Sequence, residues 1–332
     1  MPQPLISVVI PFYQPKKLFD RCLKSIRSQT YQNFELILVD NNADNLSRRT
    51  AVKHVNADSR ITLVKEEKQG VVFASNKGMS LAKGDFLVRM DADDFMAENR
   101  LERQYEYLCE NPECGAVSCL VEFVGDDEAK GFKTYVDWLN SVQSFEEIKL
   151  SRFVESPIAN PTTMVRKEVP EKLGWYRDGD FPEDYELWLR WIESGVRIDK
   201  TPERLHFWVD SKERLTRTDN RYDVDAFFKI KSKYLAQSLA EKKIQEVCVW
   251  GAGRKSRQRL EHLTQHGIKV IAYLDFKERE IHGIPCFDFR TYDFTSAPFI
   301  LTYVSNRGKR DEIKSFLKSK GLREGEDFLC VG

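Results

Sequence analysis

Short apolar, β-branched segments alternate with helix-like segments from residue 7 to residue 90, and this order constrains the fold more than any other feature. The strand-like segments cover residues 7–11, 35–40, 61–65 and 86–90, and the helix-like segments cover residues 16–29, 45–57 and 72–82. Strands separated by helices of this length indicate βαβ units and a parallel sheet. We therefore predict an α/β fold whose ligand site lies at the carboxyl ends of the strands, where such sheets open crevices.

The fourth strand-like segment runs directly into three carboxylates. In the stretch FLVRMDADDF, Asp91, Asp93 and Asp94 stand within four positions. Carboxylates about 5 Å apart repel each other by roughly 3 kcal/mol at an effective dielectric of about 20, so the cluster favours a bound cation. Mg²⁺ and Mn²⁺ prefer oxygen ligands and are commonly held by one or two carboxylates together with substrate phosphates. The alternative is a solvated acidic loop that caps the next helix.

The rest of the chain predicts a second, smaller α/β domain. A helix over residues 98–110 and a strand over residues 116–124 are followed by a polar stretch over residues 125–133 and an irregular segment to about residue 160. Pro182 begins a helix that ends at Gly195, and a long charged helix covers residues 223–243. The later segment EVCVWGAGRKSRQRLEHLTQHGIKVIAYLD restarts a strand, glycine turn, helix and strand. We predict a first domain over residues 1–221, a linker helix over 222–243 and a Rossmann-like domain over 244–332.

Composition limits the partners. Lys plus Arg and Asp plus Glu both total 52, so no overall field attracts the protein to nucleic acid. No stretch approaches the roughly 18 apolar residues of a spanning helix, and the start of the chain lacks the pattern of a signal peptide. We expect a cytoplasmic protein without a transmembrane segment. Peripheral membrane contact and the oligomeric state are left open.

Four stretches occur in a characteristic order over residues 5–220: SVVIPFY, ELILVDNNADN, KQGVVFASNKGMSLAKGDFLVRMDADD and FPEDYELWLRW. Together they resemble the family 2 glycosyltransferases. The resemblance implies a GT-A fold and the inverting transfer of a sugar from a nucleotide-diphosphate sugar to an acceptor hydroxyl, assisted by Mn²⁺ or Mg²⁺. It also implies a carbohydrate or lipid-linked acceptor, as in the synthesis of bacterial-type surface polysaccharide.

The same resemblance assigns the donor site. Asp40 matches the carboxylate that holds the nucleotide base, and Pro11 and Tyr13 would line that pocket. Asp91 matches the position that faces the ribose and, with Asp93, would form the metal site. For Asp40 the alternative is turn chemistry, because Asp and Asn favour turns and the local sequence is DNNADN.

Asp184, in FPEDYELW, matches the general base of the family, and Glu183 is its neighbour. The dipole at a helix start favours an ionised carboxylate, so we expect Asp184 to be charged and ready to accept a proton. The alternative is an ordinary acidic first turn of a helix. Trp175 and Tyr176 are candidates for stacking on the acceptor, and Asp94 is a candidate acceptor contact or a support for the metal ligands.

The sequence departs from the family after the base. Where family members have an Arg followed by a His that completes the metal shell, LHFWVDSKERLTR has Val209 and, about two positions later, Ser211. Asp210 or His206 is a candidate replacement, although a lone histidine is more often structural. The third metal ligand is therefore open.

The second glycine turn predicts an anion or nucleotide site in the C-terminal domain. Gly251 and Gly253 stand in a G-x-G spacing after a strand, and Asp275 ends the next strand, as a ribose-binding acid would. Ser256 replaces the third glycine of the fingerprint, and Arg254 follows the turn at a helix start that would bind an anion. The alternative is a Rossmann-like domain that keeps the turn without a nucleotide and acts in assembly or in acceptor positioning.

Two other functions compete with glycosyl transfer. A nucleotidyltransferase also uses acidic clusters, but it would need a glycine-rich basic loop after its first strand, where this chain has PFYQPKK. A non-catalytic nucleotide-binding or scaffold protein is the other alternative. The joint presence of Asp91, Asp93 and Asp184 argues against it.

Overall fold

The chain folds into two α/β units, each built around its own sheet. The computed structural model describes residues 3–15, 17–125, 130–210 and 214–332. The first unit comprises Met1–Ile148, Pro157–Gly179 and Ser194–Thr218, and the second comprises Lys149–Ser156, Asp180–Glu193 and Asp219–Gly332. Both units are therefore discontinuous in sequence.

Strands and helices are numbered separately in chain order. The strands are β1 (Ile6–Phe12), β2 (Phe34–Asp40), β3 (Ile61–Lys65), β4 (Phe86–Arg89), β5 (Phe95–Met96), β6 (Cys114–Val124), β7 (Met164–Arg166), β8 (Arg197–Val209), β9 (Glu246–Trp250), β10 (Lys269–Asp275), β11 (Arg279–Ile281), β12 (Ile284–Asp288), β13 (Ile300–Thr302) and β14 (Phe328–Cys330). The α-helices are α1 (Leu18–Arg27), α2 (Asn45–Ala57), α3 (Val71–Leu81), α4 (Arg100–Glu110), α5 (Lys130–Ser141), α6 (Phe145–Ser151), α7 (Glu168–Leu173), α8 (Glu183–Glu193), α9 (Leu215–Thr218), α10 (Val224–Glu241), α11 (Arg254–Thr264) and α12 (Arg307–Ser319). Within the described ranges, every helix is too short or too polar to cross a membrane.

The first sheet has the strand order β3-β2-β1-β4-β7-β6-β8-β5. Its first four strands are parallel, as the alternation of segments predicted. Successive residues of β1 enter different apolar clusters, because side chains alternate across a strand and helices cover both faces of a parallel sheet. Val8 and Ile10 belong to one cluster and Val9 to the other. This packing fixes the strand ends at which the site lies.

The predicted elements of the first half are confirmed, with one exception. α2 and β3 have the predicted bounds, and α1 and α3 differ from them by at most two residues. The prediction of an irregular segment up to about residue 160 is wrong, because α5 and α6 lie there. In α5 the buried side chains of Val136 and Leu139 are three residues apart, a helical spacing that the polar residues around them obscure.

The second sheet has the strand order β11-β12-β10-β9-β13-β14, and all neighbours except the β11–β12 pair are parallel. The five parallel strands follow the order of a Rossmann-like sheet. Strands are added on one side of β9 up to β12 and on its other side from β13 onward, so the strand order reverses between β9 and β13. The smaller α/β sheet predicted for the C-terminal part is therefore present.

The helix predicted as a linker, residues 222–243, corresponds to α10 and packs in the core of the second unit. Phe228 and Leu235 are buried in one cluster with Val249 of β9 and Leu301 of β13. The ammonium group of Lys231 donates hydrogen bonds to three backbone carbonyls of the same unit. The contacts divide the chain after Thr218, three residues before the predicted boundary at 221, and they also assign Lys149–Ser156 and Asp180–Glu193 to the second unit. The division into two domains and a linker stays a prediction.

Candidate active site

Three neighbouring strands bring the predicted donor-site residues to one edge of the first sheet. The parallel register pairs Phe12 of β1 with Asp40 of β2, and Val9 of β1 with Arg89 of β4. The chain therefore leaves β1, β2 and β4 at the same edge. The predicted residues that follow or end these strands are Pro11, Tyr13, Asp40, Asp91 and Asp93.

Asp40 is buried at the end of β2, and both of its oxygens have partners. Oδ1 accepts a hydrogen bond from the backbone N–H of Ala43 at 2.7 Å, and Oδ2 pairs with Nε of Arg48 at 2.7 Å. The first contact closes the turn after β2, and the second balances the charge of the buried carboxylate. Tyr13 follows β1 at the same edge and is 48% exposed. Base binding by Asp40 stays a prediction.

Asp91 forms an ion pair with the buried guanidinium of Arg89. The two residues are two positions apart and therefore lie on the same side of an extended chain. The Asp91 side chain is 30% exposed, whereas that of Arg89 is 6% exposed. Arg89 thus holds Asp91 at the end of β4 and offsets part of the charge of the acidic loop.

Burial raises the pKa of Asp93 to about 7, and the charges of Asp94 and Asp91 add to the rise. The positive charge of Arg214 opposes it. Burial also raises the pKa of Asp94 well above its usual range, with Asp91 the next cause. The loop therefore concentrates more negative charge than its own cations balance, which is the electrostatic setting that a bound cation stabilises.

Asp94 is fully buried and is the end of a hydrogen-bonded chain that reaches α4. Its Oδ2 lies 2.9 Å from Nε2 of His206 on β8, and its Oδ1 accepts from the N–H of Val209 at 2.8 Å. Nδ1 of His206 lies 3.1 Å from Nη1 of Arg100, whose Nε donates to Gln104 at 3.0 Å. These contacts fasten the acidic loop to a strand more than 100 positions away in sequence.

The donor pattern fixes the tautomer of His206. A guanidinium can only donate, so Nδ1 must accept and the ring proton resides on Nε2, facing Asp94. Burial lowers the pKa of His206 well below its usual range, so the ring is neutral. With both nitrogens engaged and no exposed surface, His206 is not available as the replacement metal ligand.

Asp94 and Asp210, the other candidates for acceptor or metal contact, both have partners within the first unit. Asp94 is 1% exposed and both of its oxygens are bonded inside the fold, which argues against its predicted contact with the acceptor. Its carboxyl group instead fastens the acidic loop to β8. Asp210 forms an ion pair with Arg217 at 2.9 Å. Ser211 lies outside the described residues.

The carboxylates of this loop suit a hard divalent cation that takes the rest of its ligands from a substrate. In the described part of the chain, no group of three or more His, Cys, Asp or Glu side chains could hold a metal ion. The pair Asp91 and Asp93 stays the predicted donor set. Mg²⁺ and Mn²⁺ sites of this kind use one or two carboxylates with substrate phosphates, so the pair fits such an ion.

Glu183 and Asp184 lie in the first turn of α8, in the second unit. Glu183 is 5% exposed and accepts a hydrogen bond from the hydroxyl of Tyr222 at 2.7 Å. One turn later, Glu186 is also buried and pairs with Arg190 at 3.0 Å. Asp184 is the member of this acidic turn that keeps partial exposure. Glu183 is thus held as a structural acid, and Asp184 remains the candidate base.

Comparison with known proteins identifies the family. The model for glycosyl transferase family 2 matches residues 7–174. An uncharacterized glycosyltransferase of Methanocaldococcus jannaschii is 30% identical over 223 residues, which are 66% of this chain and 74% of the relative. The O-antigen biosynthesis glycosyltransferase WbnJ of Escherichia coli is 30% identical over 206 residues, which are 60% of this chain and 78% of the relative. The chain belongs to glycosyltransferase family 2.

Solved structures agree with the fold of this glycosyltransferase. The mannosyltransferase PcManGT from Pyrobaculum calidifontis, solved with GDP-Man and Mn²⁺, superimposes with a TM-score of 0.51 at 18% identity, over 80% of this chain and 69% of the other. TarS from S. aureus, solved with UDP-GlcNAc, gives a TM-score of 0.53 at 14% identity, over 79% and 71%. The predicted GT-A fold is confirmed, and the enzyme is a transferase of glycosyl groups.

The two aromatic residues predicted to meet the acceptor differ in exposure. Tyr176 is 6% exposed, and its hydroxyl donates to Asn160 at 2.8 Å. The burial of this ring argues against acceptor stacking by Tyr176, which stays a prediction. Trp175 is half-buried against Val9 and its neighbours in the first unit. Of the two residues, Trp175 therefore remains the candidate for stacking on the acceptor.

The C-terminal glycine turn of the glycosyltransferase lies at the reversal point of the second sheet. Gly251 has a φ of 109°, which favours glycine, whereas Gly253 has a φ of −66° and is the N-cap residue directly before α11. Ser256 donates a hydrogen bond to the carbonyl of Tyr303 at 3.3 Å, so it packs the helix onto β13. Asp275 pairs with Arg279 at 2.9 Å. The acid predicted to bind ribose is thus engaged, and nucleotide binding here, with Arg254 at the helix start, stays a prediction.

The sequence analysis did not predict the arginines that lie at or near the sheet edge that carries the predicted donor-site residues. Arg89 stands inside the stretch FLVRMDADDF, and a buried arginine in an apolar strand requires an acidic partner. Its spacing from Asp91 was therefore a usable signal. Arg48 and Arg100 gave no such signal in the sequence, because the fold determines their partners. Arg214, which follows β8, gave none either.

Proposed function

We propose that this glycosyltransferase moves a sugar from a nucleoside-diphosphate sugar to an acceptor hydroxyl with inversion at the anomeric carbon. Asp91 and Asp93 would hold Mn²⁺ or Mg²⁺, and such an ion supplies Lewis-acid stabilisation of the departing diphosphate. The observation that carries the proposal is the acidic pair at the carboxyl edge of the parallel strands, where partial burial raises the pKa of Asp93.

The residues of the chain have separate tasks in this mechanism. Asp40 and Tyr13 would hold and stack the base, and Asp91 and Asp93 would orient the diphosphate through the ion. Asp184 would accept the proton of the acceptor hydroxyl as that oxygen attacks the anomeric carbon. The bond from that carbon to the diphosphate oxygen breaks as the new glycosidic bond forms, and the diphosphate carries away the electron pair.

Donor and acceptor are proposed by class. The GDP-Man and UDP-GlcNAc bound by the two solved structures support a nucleoside-diphosphate sugar as donor. The role of WbnJ in O-antigen biosynthesis supports a carbohydrate or lipid-linked acceptor of a surface polysaccharide. Such donors are made in the cytoplasm, which is the location we propose.

The metal role is tested by thermal shift with UDP-, GDP- and dTDP-sugars, each with and without Mn²⁺. A ligand that binds only the folded state raises Tm, so a bound donor identifies itself. We expect a Mn²⁺-dependent shift in the wild type that is lost in Asp93→Ala. The control is Asp85→Ala, because Asp85 is exposed just before β4, at the other end of that strand. Equal shifts in the wild type and Asp93→Ala would remove the metal role.

The base is tested by Asp184→Asn, which preserves size and removes the basic oxygen. We expect donor binding to be retained and turnover to fall by about a hundredfold or more. Asp180→Asn is the control, because Asp180 is an exposed aspartate four positions earlier in the chain. Near-normal turnover in Asp184→Asn would exclude this residue as the base. Inversion itself is read from the anomeric configuration of the product by NMR, where retention would contradict it.

A further inference from the structure

The helix that carries the candidate base is built into the second unit. Tyr185 and Leu189 of α8, one turn apart, are buried in one apolar cluster with Phe228 of α10. The hydroxyl of Tyr185 also donates to the backbone carbonyl of Arg152 at 2.6 Å, within the same unit. Contacts of the second unit therefore place the backbone that bears Asp184, whereas the predicted donor-site residues belong to the first unit.

Tyr222 holds the first residue of this helix. Its hydroxyl donates a hydrogen bond to Oε2 of Glu183 at 2.7 Å, and Glu183 is 5% exposed, so water is poorly placed to replace the contact. Burial raises the pKa of Tyr222 well above its ordinary value, and the charges of Glu183 and Asp184 add to the rise. Tyr222 is therefore a permanent hydrogen-bond donor at neutral pH and lies within electrostatic reach of both carboxylates.

The backbone that presents Tyr222 is itself braced. Tyr222 ends a single turn of 3-10 helix over residues 220–222, and its N–H donates to the carbonyl of Asp219 at 3.0 Å. The carboxylate of Asp219 accepts from the N–H of Arg221 at 2.9 Å and from Nη2 of the same residue at 2.7 Å. These contacts fix the turn directly before α10, so the hydroxyl of Tyr222 holds Glu183 from a defined position.

We propose that Tyr222 is a positioning residue for the general base, and that the second unit serves the reaction by holding this turn. The inference rests on the proposed function, because it concerns the placement of Asp184. Glu183 and Asp184 are adjacent, so a displacement of Glu183 moves the backbone that carries Asp184. A base works only within hydrogen-bond reach of the proton that it accepts, and a small misplacement lowers the rate. Tyr222 acts through Glu183 and takes up no proton itself.

The same helix offers a matched contact that lies further from its start. The hydroxyl of Tyr234 on α10 donates to Oε1 of Glu186 at 2.5 Å. Glu186 also pairs with Arg190 at 3.0 Å, so it keeps a charged partner when that hydroxyl is removed. Tyr234→Phe thus deletes a tyrosine–glutamate hydrogen bond from the same helix without releasing its first residue, Glu183.

The experiment measures the turnover of Tyr222→Phe and Tyr234→Phe, each alone and combined with Asp184→Asn. Turnover is followed as the release of UDP from UDP-GlcNAc or of GDP from GDP-Man in Mn²⁺ buffer, with water in place of the acceptor. We expect Tyr222→Phe to lower kcat by about tenfold and to leave the Kd of UDP or GDP within twofold. Tyr234→Phe should leave kcat within twofold, although both variants lose a hydrogen bond and fall in Tm. In the Asp184→Asn background, Tyr222→Phe should cause no further loss, because the group that it positions is gone.

The outcomes separate this inference from the function on which it rests. Near-normal turnover in Asp184→Asn would overturn the base and the inference together. Loss of turnover in Asp184→Asn with wild-type kcat in Tyr222→Phe would overturn only the role of Tyr222. An equal drop from Tyr222→Phe in both backgrounds would indicate general loosening and would overturn that role as well. If the wild type releases neither diphosphate, hydrogen exchange of the peptide that contains residues 182–190 decides. Exchange in Tyr222→Phe equal to that of the wild type would then refute the positioning.

Discussion

Replacing His206 by phenylalanine should destabilise the first unit more than the same change at another buried histidine. The substitution keeps a ring in a fully buried position but removes the contact of Nε2 with Asp94 at 2.9 Å and that of Nδ1 with Arg100 at 3.1 Å. Each loss leaves a buried ionisable group short of a partner. At about 1.5–3 kcal/mol for each hydrogen bond to a charged group, the expected cost is roughly 3–6 kcal/mol.

The matched control is His54→Phe, in the same unit. His54 is also buried, but its one hydrogen bond, from Nε2 to Asp20 at 3.0 Å, goes to a carboxylate that is 34% exposed. Water can replace that contact, so we expect a cost of about 1 kcal/mol.

The assay is urea unfolding followed by circular dichroism, with hydrogen exchange of the peptide that contains residues 91–97 as a local measure. Exchange in that peptide should rise in His206→Phe and stay unchanged in His54→Phe. Equal costs for the two variants, or a cost below about 1.5 kcal/mol for His206→Phe, would refute the claim that the buried chain from Arg100 to Asp94 fixes the acidic loop.

Two further predictions concern a buried lysine and the C-terminal glycine turn. Burial lowers the pKa of Lys200 to about 7, against about 10.4 in an unfolded chain. Between these pH values the unfolded state binds the extra proton, so the free energy of unfolding rises with pH by up to about 1.4 kcal/mol per unit. Lys200→Met should abolish that rise in urea titrations, and an unchanged slope would contradict the assignment. Gly251→Ala should cost about 1–2 kcal/mol in stability, because Gly251 has a φ of 109°. Gly253→Ala should be close to neutral, because Gly253 has a φ of −66° and an added methyl group would meet open space. Similar Tm values for the two variants would show that the turn is not strained.

The sequence was sufficient to predict that the candidate donor-site residues share one edge of the first sheet. Local patterns predicted the parallel strands, the strand ends and the helix start that carries Asp184, because each of these depends on residues close together in the chain. The pair Arg89 and Asp91 was also within reach, since the two residues are two positions apart. The GT-A fold could be expected because the motifs occur in a fixed order.

Contacts between distant residues could not be predicted in this way. Asp94 was expected near the acceptor, but its partner His206 is 112 positions away and fixes it inside the fold. Tyr176 was expected to stack on the acceptor, but its ring is buried and its hydroxyl donates to Asn160. In both cases the residue type suits either role, and burial, which only the assembled fold determines, decides between them.

The discontinuity of the second unit affects how this enzyme can be recombined with its relatives. α8, which carries Asp184, is fastened by Tyr222 and Tyr234, whose hydroxyls reach Glu183 at 2.7 Å and Glu186 at 2.5 Å. A chimera joined at one point after residue 221 would place the helix of one parent against the α10 of another. Unless both tyrosine–glutamate contacts were carried across together, such a hybrid would inherit an intact first sheet and a loosened α8.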